Sequence, residues 1–304
     1  MSTDTGSLWN CTEDVSVIIP TLAEQHRFER LQRCIASIRD SSVKRCTIIA
    51  VVNGSRSSTE VTQWLKDQKD IRLIIEPTPS APNAVRIGRE TVQTPFFSTL
   101  DDDDEYLPGS TDLKLSVLLS HPEADLVVTN GLNNWDGRDE RFYTHLSSVS
   151  ADPLGTLFEA NWLHNCNALY RSERIPPMYF RDTPPFAEWT WLAYRLALDG
   201  KRILTLDEPC FRYNCTPASL SQSQVYRAAY PPLFKRMLDC NPPARIRKLI
   251  QRRLSAALHD RSADCLASGD YLEALQAHVQ SLILPGGLRY LSYTRRLLPR
   301  WPQA

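Results

Sequence analysis

The sequence predicts an α/β fold: a mostly parallel sheet flanked by helices, followed by a C-terminal helical extension. Short apolar, β-branched runs alternate with segments of helical spacing over the first hundred residues, which is the signature of a parallel sheet. From Tyr226 onward the pattern is helical, punctuated at Pro231-Pro232, Pro242-Pro243 and Pro285-Gly286-Gly287 into about four helices. With 304 residues and 42% apolar content the chain can bury one large α/β domain plus a substantial appendage, so disordered and fibrous classes are excluded. The expected division is an α/β body over 1–225 and a basic helical extension over 226–304.

The elements follow in order. VSVIIP at 15–20 is a strand stopped by Pro20, and Phe28, Leu31, Ile35 and Ile38 then recur at helical spacing. CTIIAVV at 46–52 is a second strand ending at Asn53-Gly54-Ser55, with a helix near 58–68 and a third strand at 71–75 (IRLII). A helix over 83–92 leads to a fourth strand at 95–100 (PFFSTL), which runs into four consecutive aspartates. After Pro108-Gly109 the pattern gives a helix near 110–119, strands at 125–130 and 140–145, and an apolar stretch at 166–170. The loop 174–187, rich in proline and aromatics, reads as a lid or acceptor wall. A helix over 188–198, two short strands at 202–206 and 210–214, and a helical hairpin over 255–284 complete the pattern. In sheets of this kind ligands bind at the carboxyl ends of the strands, where the polar loops converge.

Formal charge sums to zero, yet residues 226–304 hold 13 Lys and Arg against 5 Asp and Glu, and residues 1–225 hold 22 against 30. An acidic body with a basic tail suits work beside an anionic lipid or substrate, and equally suits a solvated helical surface. The first ten residues are polar and no 18-residue apolar run occurs, so a cytoplasmic location is expected, at the inner face of a membrane if the tail meets lipid. Eight scattered cysteines without a Cys-x-x-Cys argue against a zinc site or a disulfide scaffold. Asn10, Asn53 and Asn214 open Asn-x-Ser/Thr triplets that carry little weight without an export signal.

The run of aspartates at 101–104 is the sharpest chemical signal. Adjacent carboxylates repel, a cost borne mainly where a divalent cation neutralises it. In an extended segment alternate residues point the same way, so Asp101 and Asp103 converge on one hard metal while Asp102 and Asp104 face elsewhere. A calcium loop of the EF-hand type is excluded because Tyr106 stands at the position that needs glycine. The alternative reading of the same run is an exposed acidic turn opening the 110–119 helix. Glu188, held between Phe186 and Trp189 at the start of a helix, is a candidate general base or, alternatively, a first-turn acid that favours the helix dipole. Thr21, Asn53, Arg86, Asp101 and Asp102 are candidate ligand contacts, with Arg86 equally suited to an exposed helix position. Trp135, Trp162, Trp189 and Trp191 are suited to stack on sugar rings or to fill a core.

Over residues 14–225 these motifs resemble the inverting family 2 glycosyltransferases of the GT-A fold. VSVIIPT is similar to the family's first strand, with Thr21 at the nucleotide-contacting loop. AVVNGS resembles its second motif, with Val52 and Asn53 where two aspartates are common. The stretch from Asn83 to Gly88 resembles the segment before the metal motif, with Val85 and Arg86 for its usual Arg-Asn pair. LDDDDEYLPG resembles the metal motif itself, placing Asp101 and Asp103 in its Asp-x-Asp positions. FAEWTWLAYRLALDGKR is similar to the segment holding a Glu-Asp pair: Glu188 matches the Glu, and Trp189 stands for the Asp. LDEPCFRYNCTPASLSQS is similar to the closing strand and loop, with Thr216 in the place of a metal-site histidine.

The resemblance implies a metal-dependent transfer of a sugar from a nucleotide-diphosphate sugar to a glycan or lipid-linked acceptor. Mn²⁺ or Mg²⁺ would sit on Asp101 and Asp103, and Glu188 would take the acceptor proton. No nucleic-acid partner is expected, and the C-terminal helices are candidates for peripheral membrane contact or self-association. Val52, Trp189 and Thr216 also suit a catalytically silent nucleotide-sugar-binding or scaffold protein of the same fold. A nucleotidyltransferase would need a glycine-rich, basic loop after the first strand, and TLAEQHRFER is not one.

Overall fold

A computed structural model describes residues 15–43, 46–215 and 224–298. The chain forms two compact units, one comprising the residues up to 147, 164–181 and 202–214, the other 148–163, 182–201 and the residues from 215 on. The helical unit thus takes in segments well before residue 226.

The first unit carries a nine-stranded sheet. Strands β1 (Val15–Thr21), β2 (Thr47–Asn53), β3 (Ile71–Glu76) and β4 (Phe96–Thr99) alternate with helices α1 (Phe28–Asp40), α2 (Thr59–Asp67) and α3 (Ala81–Thr91). Their pairings are all parallel, in the order β3-β2-β1-β4. Every residue of β1 is buried, as continuous apolar strands covered on both faces require. Ser58 and Ser80 cap α2 and α3, their hydroxyls accepting from the Val61 and Asn83 amides at 3.5 and 3.3 Å.

Beyond β4 the sheet becomes mixed. β5 (Glu105–Tyr106), α4 (Ser110–Ser120), β6 (Leu126–Trp135), β7 (Arg138–Arg141), β8 (Ala168–Arg171) and β9 (Ile203–Asn214) continue the order as β4-β8-β6-β9-β5, with β7 pairing β6. β8 is antiparallel to both neighbours, while β9 runs parallel to β6. The strand expected at 140–145 is the short return of a hairpin turned at Asp136-Gly137, both residues at positive φ. The two strands expected at 202–206 and 210–214 are one strand, because irregularities opposite Thr129, Asn130 and Leu132 absorb the polar interruption at 207–209.

Gly88 on α3 allows the close approach of helix and sheet: a Cβ there would lie 2.4 Å from Ile18 Cγ2 in a fully buried position. Gly88→Ala is expected to cost about 1–3 kcal/mol, the range for overpacking a tight core. Urea unfolding with an unchanged denaturant slope is the check.

In the second unit, α5 (Pro153–Leu157), α6 (Glu188–Leu198), α7 (Gln224–Ala228), α8 (Tyr230–Asp239), α9 (Ala244–Ser268), α10 (Tyr271–Leu282) and α11 (Thr294–Leu297) occur, with a 3₁₀ segment at Gly287–Tyr293. The expected hairpin is α9–α10, turned at Gly269 (φ 86°), with the Asp270 side chain accepting from the Glu273 amide at 3.1 Å. Among the described residues no helix is long and apolar enough to cross a membrane.

Candidate active site

The carboxyl end of β4 brings the acidic run beside the end of β1. Residues 101–104 form a tight turn, with the Asp104 amide donating to the Asp101 carbonyl at 3.1 Å, and not the extended segment expected. Burial alternates along this turn. Asp102 and Asp104 are 4% and 1% exposed, whereas Asp101 and Asp103 are only partly buried.

Each carboxylate has a different partner. Thr21 Oγ1 donates to Asp102 Oδ2 at 2.5 Å and accepts from the Ala23 amide at 3.0 Å, so it ties the loop after β1 to the acidic turn. Arg27 Nη2 donates to Asp102 Oδ1, and at 3.0 Å to Asp103 Oδ2. Asn165 Nδ2 donates to Asp101 Oδ1. The Asn214 amide donates to Asp104 Oδ1 at 2.9 Å, and its side chain donates to the Asp103 carbonyl at 2.7 Å.

The electrostatics follow from crowding. Burial, and then the negative charge of Asp102, raise the Asp103 carboxyl above its ordinary range, although Arg27 pulls the other way. Burial raises Asp104 further, reinforced by Asp101 and Asp103 and opposed by the Asn214 amide. Burial alone would lower the Arg27 guanidinium; Asp102 and Asp103 more than reverse this and raise it. Arg27 pairs with Asp102 and Asp103 but not with Asp104, whose buried Oδ2 has no hydrogen-bond partner among the described residues.

Among the described residues no three His, Cys, Asp or Glu side chains are placed to hold a metal together. Thr216, at the place of the family's histidine, lies outside the described residues. A small divalent ion is commonly held by one or two carboxylates together with substrate phosphates. Partly exposed Asp101 and Asp103, hard oxygen donors in one tight turn, fit that mode.

The other sequence candidates occupy different settings. Asn53 is 4% exposed and braces three elements: Nδ2 donates to the Thr21 carbonyl at 3.0 Å, and Oδ1 accepts from the Ser80 amide at 3.0 Å. Arg86 donates to Asn83 Oδ1 and Glu90 Oε2 on its own helix, at 2.7 and 2.8 Å. Glu188 opens α6 in the helical unit. Burial raises its carboxyl above the ordinary range, and Oε2 has no hydrogen-bond partner among the described residues. Trp162 and Trp191 are core residues, 1% and 3% exposed, whereas Trp135 is 43% exposed.

The first part of the segment expected to be a lid is packed. Arg89 donates to the carbonyls of Ser172 and Ile175 at 2.6 and 2.8 Å, and Phe180 meets Phe97 edge-on at 5.8 Å. A cavity of about 660 Å³ in the helical unit, with Phe158, Thr190, Tyr230, Phe234 and Ala257 in its wall, contains none of the acidic-turn residues.

Sequence reasoning missed Arg27, Asn165 and Asn214. Arg27 had a usable signal, a cation just after the first strand in the loop that faces the acidic run. Asn165 had only its place shortly before the segment that becomes β8, and Asn214 only its place at the end of the segment that becomes β9.

The parallel β-α start, with a carboxylate turn at the end of its fourth strand, is an architecture shared with transferases of the GT-A fold. Residues 16–175 match the model of "Glycosyl transferase family 2", more than half of the chain, and the chain belongs to that family of glycosyltransferases. No curated protein matches its sequence. Among solved structures of similar fold, S. aureus TarS 1-349 in complex with UDP-GlcNAc is 12% identical, with a TM-score of 0.62 over 93% of this chain and 91% of that one. The complex of TarS 1-349 with UDP is 14% identical, with a TM-score of 0.59 over 93% and 87%.

Proposed function

We propose that this glycosyltransferase moves a sugar from a nucleoside-diphosphate sugar to a hydroxyl of a glycan or lipid-linked acceptor, with a divalent cation and with inversion at the anomeric carbon. The observation that carries the reading is the acidic turn after β4, tied by Thr21 and Arg27 to the loop after β1. Similarly folded TarS has been solved with UDP-GlcNAc and with UDP, which supports the donor class. Residues 1–225 form the catalytic body in this reading, and 226–304 an extension.

Asp101 and Asp103 would hold Mn²⁺ or Mg²⁺, which when bound supplies positive charge to a departing diphosphate. Thr21, Asn53, Arg86, Asp101 and Asp102 contribute to the nucleotide side of the site. Thr21 and Asn53 do so by fixing the strand-end loops, and Arg27 by keeping the acidic turn from repelling itself. Glu188 is the acceptor-side base: partial burial and an unpartnered oxygen favour proton uptake, and one positioned carboxylate suffices to deprotonate a hydroxyl. Attack opposite the leaving diphosphate inverts configuration.

The test is product formation in a donor and acceptor screen, with and without EDTA. Turnover abolished by chelator and restored by Mn²⁺ or Mg²⁺ supports the reading. Undiminished turnover in chelator removes the metal from it, and no product with any donor favours the silent nucleotide-sugar-binding protein.

A further inference from the structure

We infer that α10 and the segment after it form a docking surface for an anionic lipid bilayer. The helix has the reverse of the usual polarity. Its small residues, Ala274, Ala277 and Ser281, with His278, are buried. That face rests on α9, where Ser262 Oγ donates to the Ala274 carbonyl at 2.7 Å and Ser255 Oγ to the Ser281 carbonyl at 2.9 Å. The large apolar residues point outward: Leu272, Leu275, Val279 and, just past the helix end, Ile283 are 69%, 45%, 50% and 78% exposed. At 100° per residue these four fall within about 80° of the helix circumference, a single stripe.

The chain that follows adds to the stripe. Leu288, Leu291 and Leu298 are exposed, and Arg289, Arg295 and Arg296 are interleaved with them. His278 Nε2 lies 2.8 Å from Thr294 Oγ1, which sets α11 alongside α10. Arg289 and Arg296 lie over the rings of Tyr290 and Tyr293, and among the described residues none of the three arginines pairs with a carboxylate. The acids at the start of α10 are committed elsewhere: Asp270 caps the helix, and Glu273 pairs with Arg261.

Charge decides the occupant. A second copy docking through a two-fold axis would place this patch on itself, arginine facing arginine without an acid to offset the repulsion. An anionic bilayer offers complementary charge at its headgroups and an apolar layer beneath them, matching alternate leucines and arginines. The surface is independent of the donor-site reading and stands or falls without it.

The experiment is co-sedimentation of the full chain with vesicles of phosphatidylcholine alone or with 30% phosphatidylglycerol, at about 50 and 500 mM NaCl. Binding is expected to the anionic vesicles at low salt only. Arg295→Gln/Arg296→Gln is expected to weaken it by about fivefold per arginine, and Val279→Gln/Ile283→Gln to abolish it. These side chains are exposed, so both variants should keep the wild-type melting curve and the wild-type turnover measured without vesicles. Absence of binding, equal binding to neutral vesicles, or a concentration-dependent dimer in light scattering that Val279→Gln/Ile283→Gln dissolves would each overturn the inference. Turnover without vesicles reports on the donor site separately.

Discussion

Asp103→Ala is expected to lower kcat/KM for sugar transfer by about 10²–10³-fold, the loss typical when one preorganised charge-stabilising group is removed. The reason lies in the asymmetry of the acidic turn. Asp102 and Asp104 are buried and hydrogen-bonded to the scaffold through Thr21 and Asn214, whereas Asp103 is partly exposed and shares Arg27 with Asp102. Asp103 is therefore free to serve a ligand without dismantling the turn. Its carboxyl pKa is raised in the folded protein, first by burial and then by Asp102, so its ionised form costs stability as pH rises through that value. Alanine removes this cost along with one bond to Arg27, and the melting temperature should stay within about 4 °C of wild type. Steady-state kinetics beside a thermal melt separate the two effects. Full activity in the variant, or collapse of the fold, contradicts the assignment.

Glu188→Gln is expected to lower kcat by about 10²–10⁴-fold, the range for loss of a general base. A base works deprotonated, so wild-type kcat should fall as pH drops through the Glu188 pKa. Burial displaces that limb above the ordinary glutamate range, and the glutamine variant should lack it. Stability runs the opposite way with pH. A glutamate whose folded pKa exceeds its unfolded value contributes fully below the unfolded pKa, and that contribution is lost as pH rises through the folded one. The glutamine variant, with no charge to desolvate, should therefore gain in melting temperature relative to wild type as pH rises from acid to neutral. A variant with the wild-type pH profile would place the base elsewhere.

The parallel half of the fold was legible because each strand there is a short β-branched run bounded by proline, asparagine-glycine or aspartate, signals that local chemistry supplies. The later half was less so. β9 carries Asp207, Glu208 and Pro209 mid-strand, and only the irregular pairing with β6 explains why one strand can contain them. The acidic run announced itself by composition, whereas the extended geometry expected for it gives way to a tight turn, and the burial of Asp102 and Asp104 was not legible from spacing. Arg27, Asn165 and Asn214 could not be found by spacing, since they lie 76, 64 and 110 residues from the aspartates they touch. Such partners are selected by sheet order. The reversed polarity of α10 was hidden for a related reason: small residues read as weak core signals until a neighbouring helix is seen resting on them.

Electron paramagnetic resonance of Mn²⁺ tests the central claim most directly, because free Mn²⁺ gives a sharp six-line signal that broadens when the ion is bound. With each common nucleoside diphosphate present in turn, wild-type protein should remove the free signal at stoichiometric Mn²⁺ with at least one of them, and Asp101→Ala/Asp103→Ala should leave it. Equal depletion by the two proteins, or none by either, would contradict the account of residues 101 and 103.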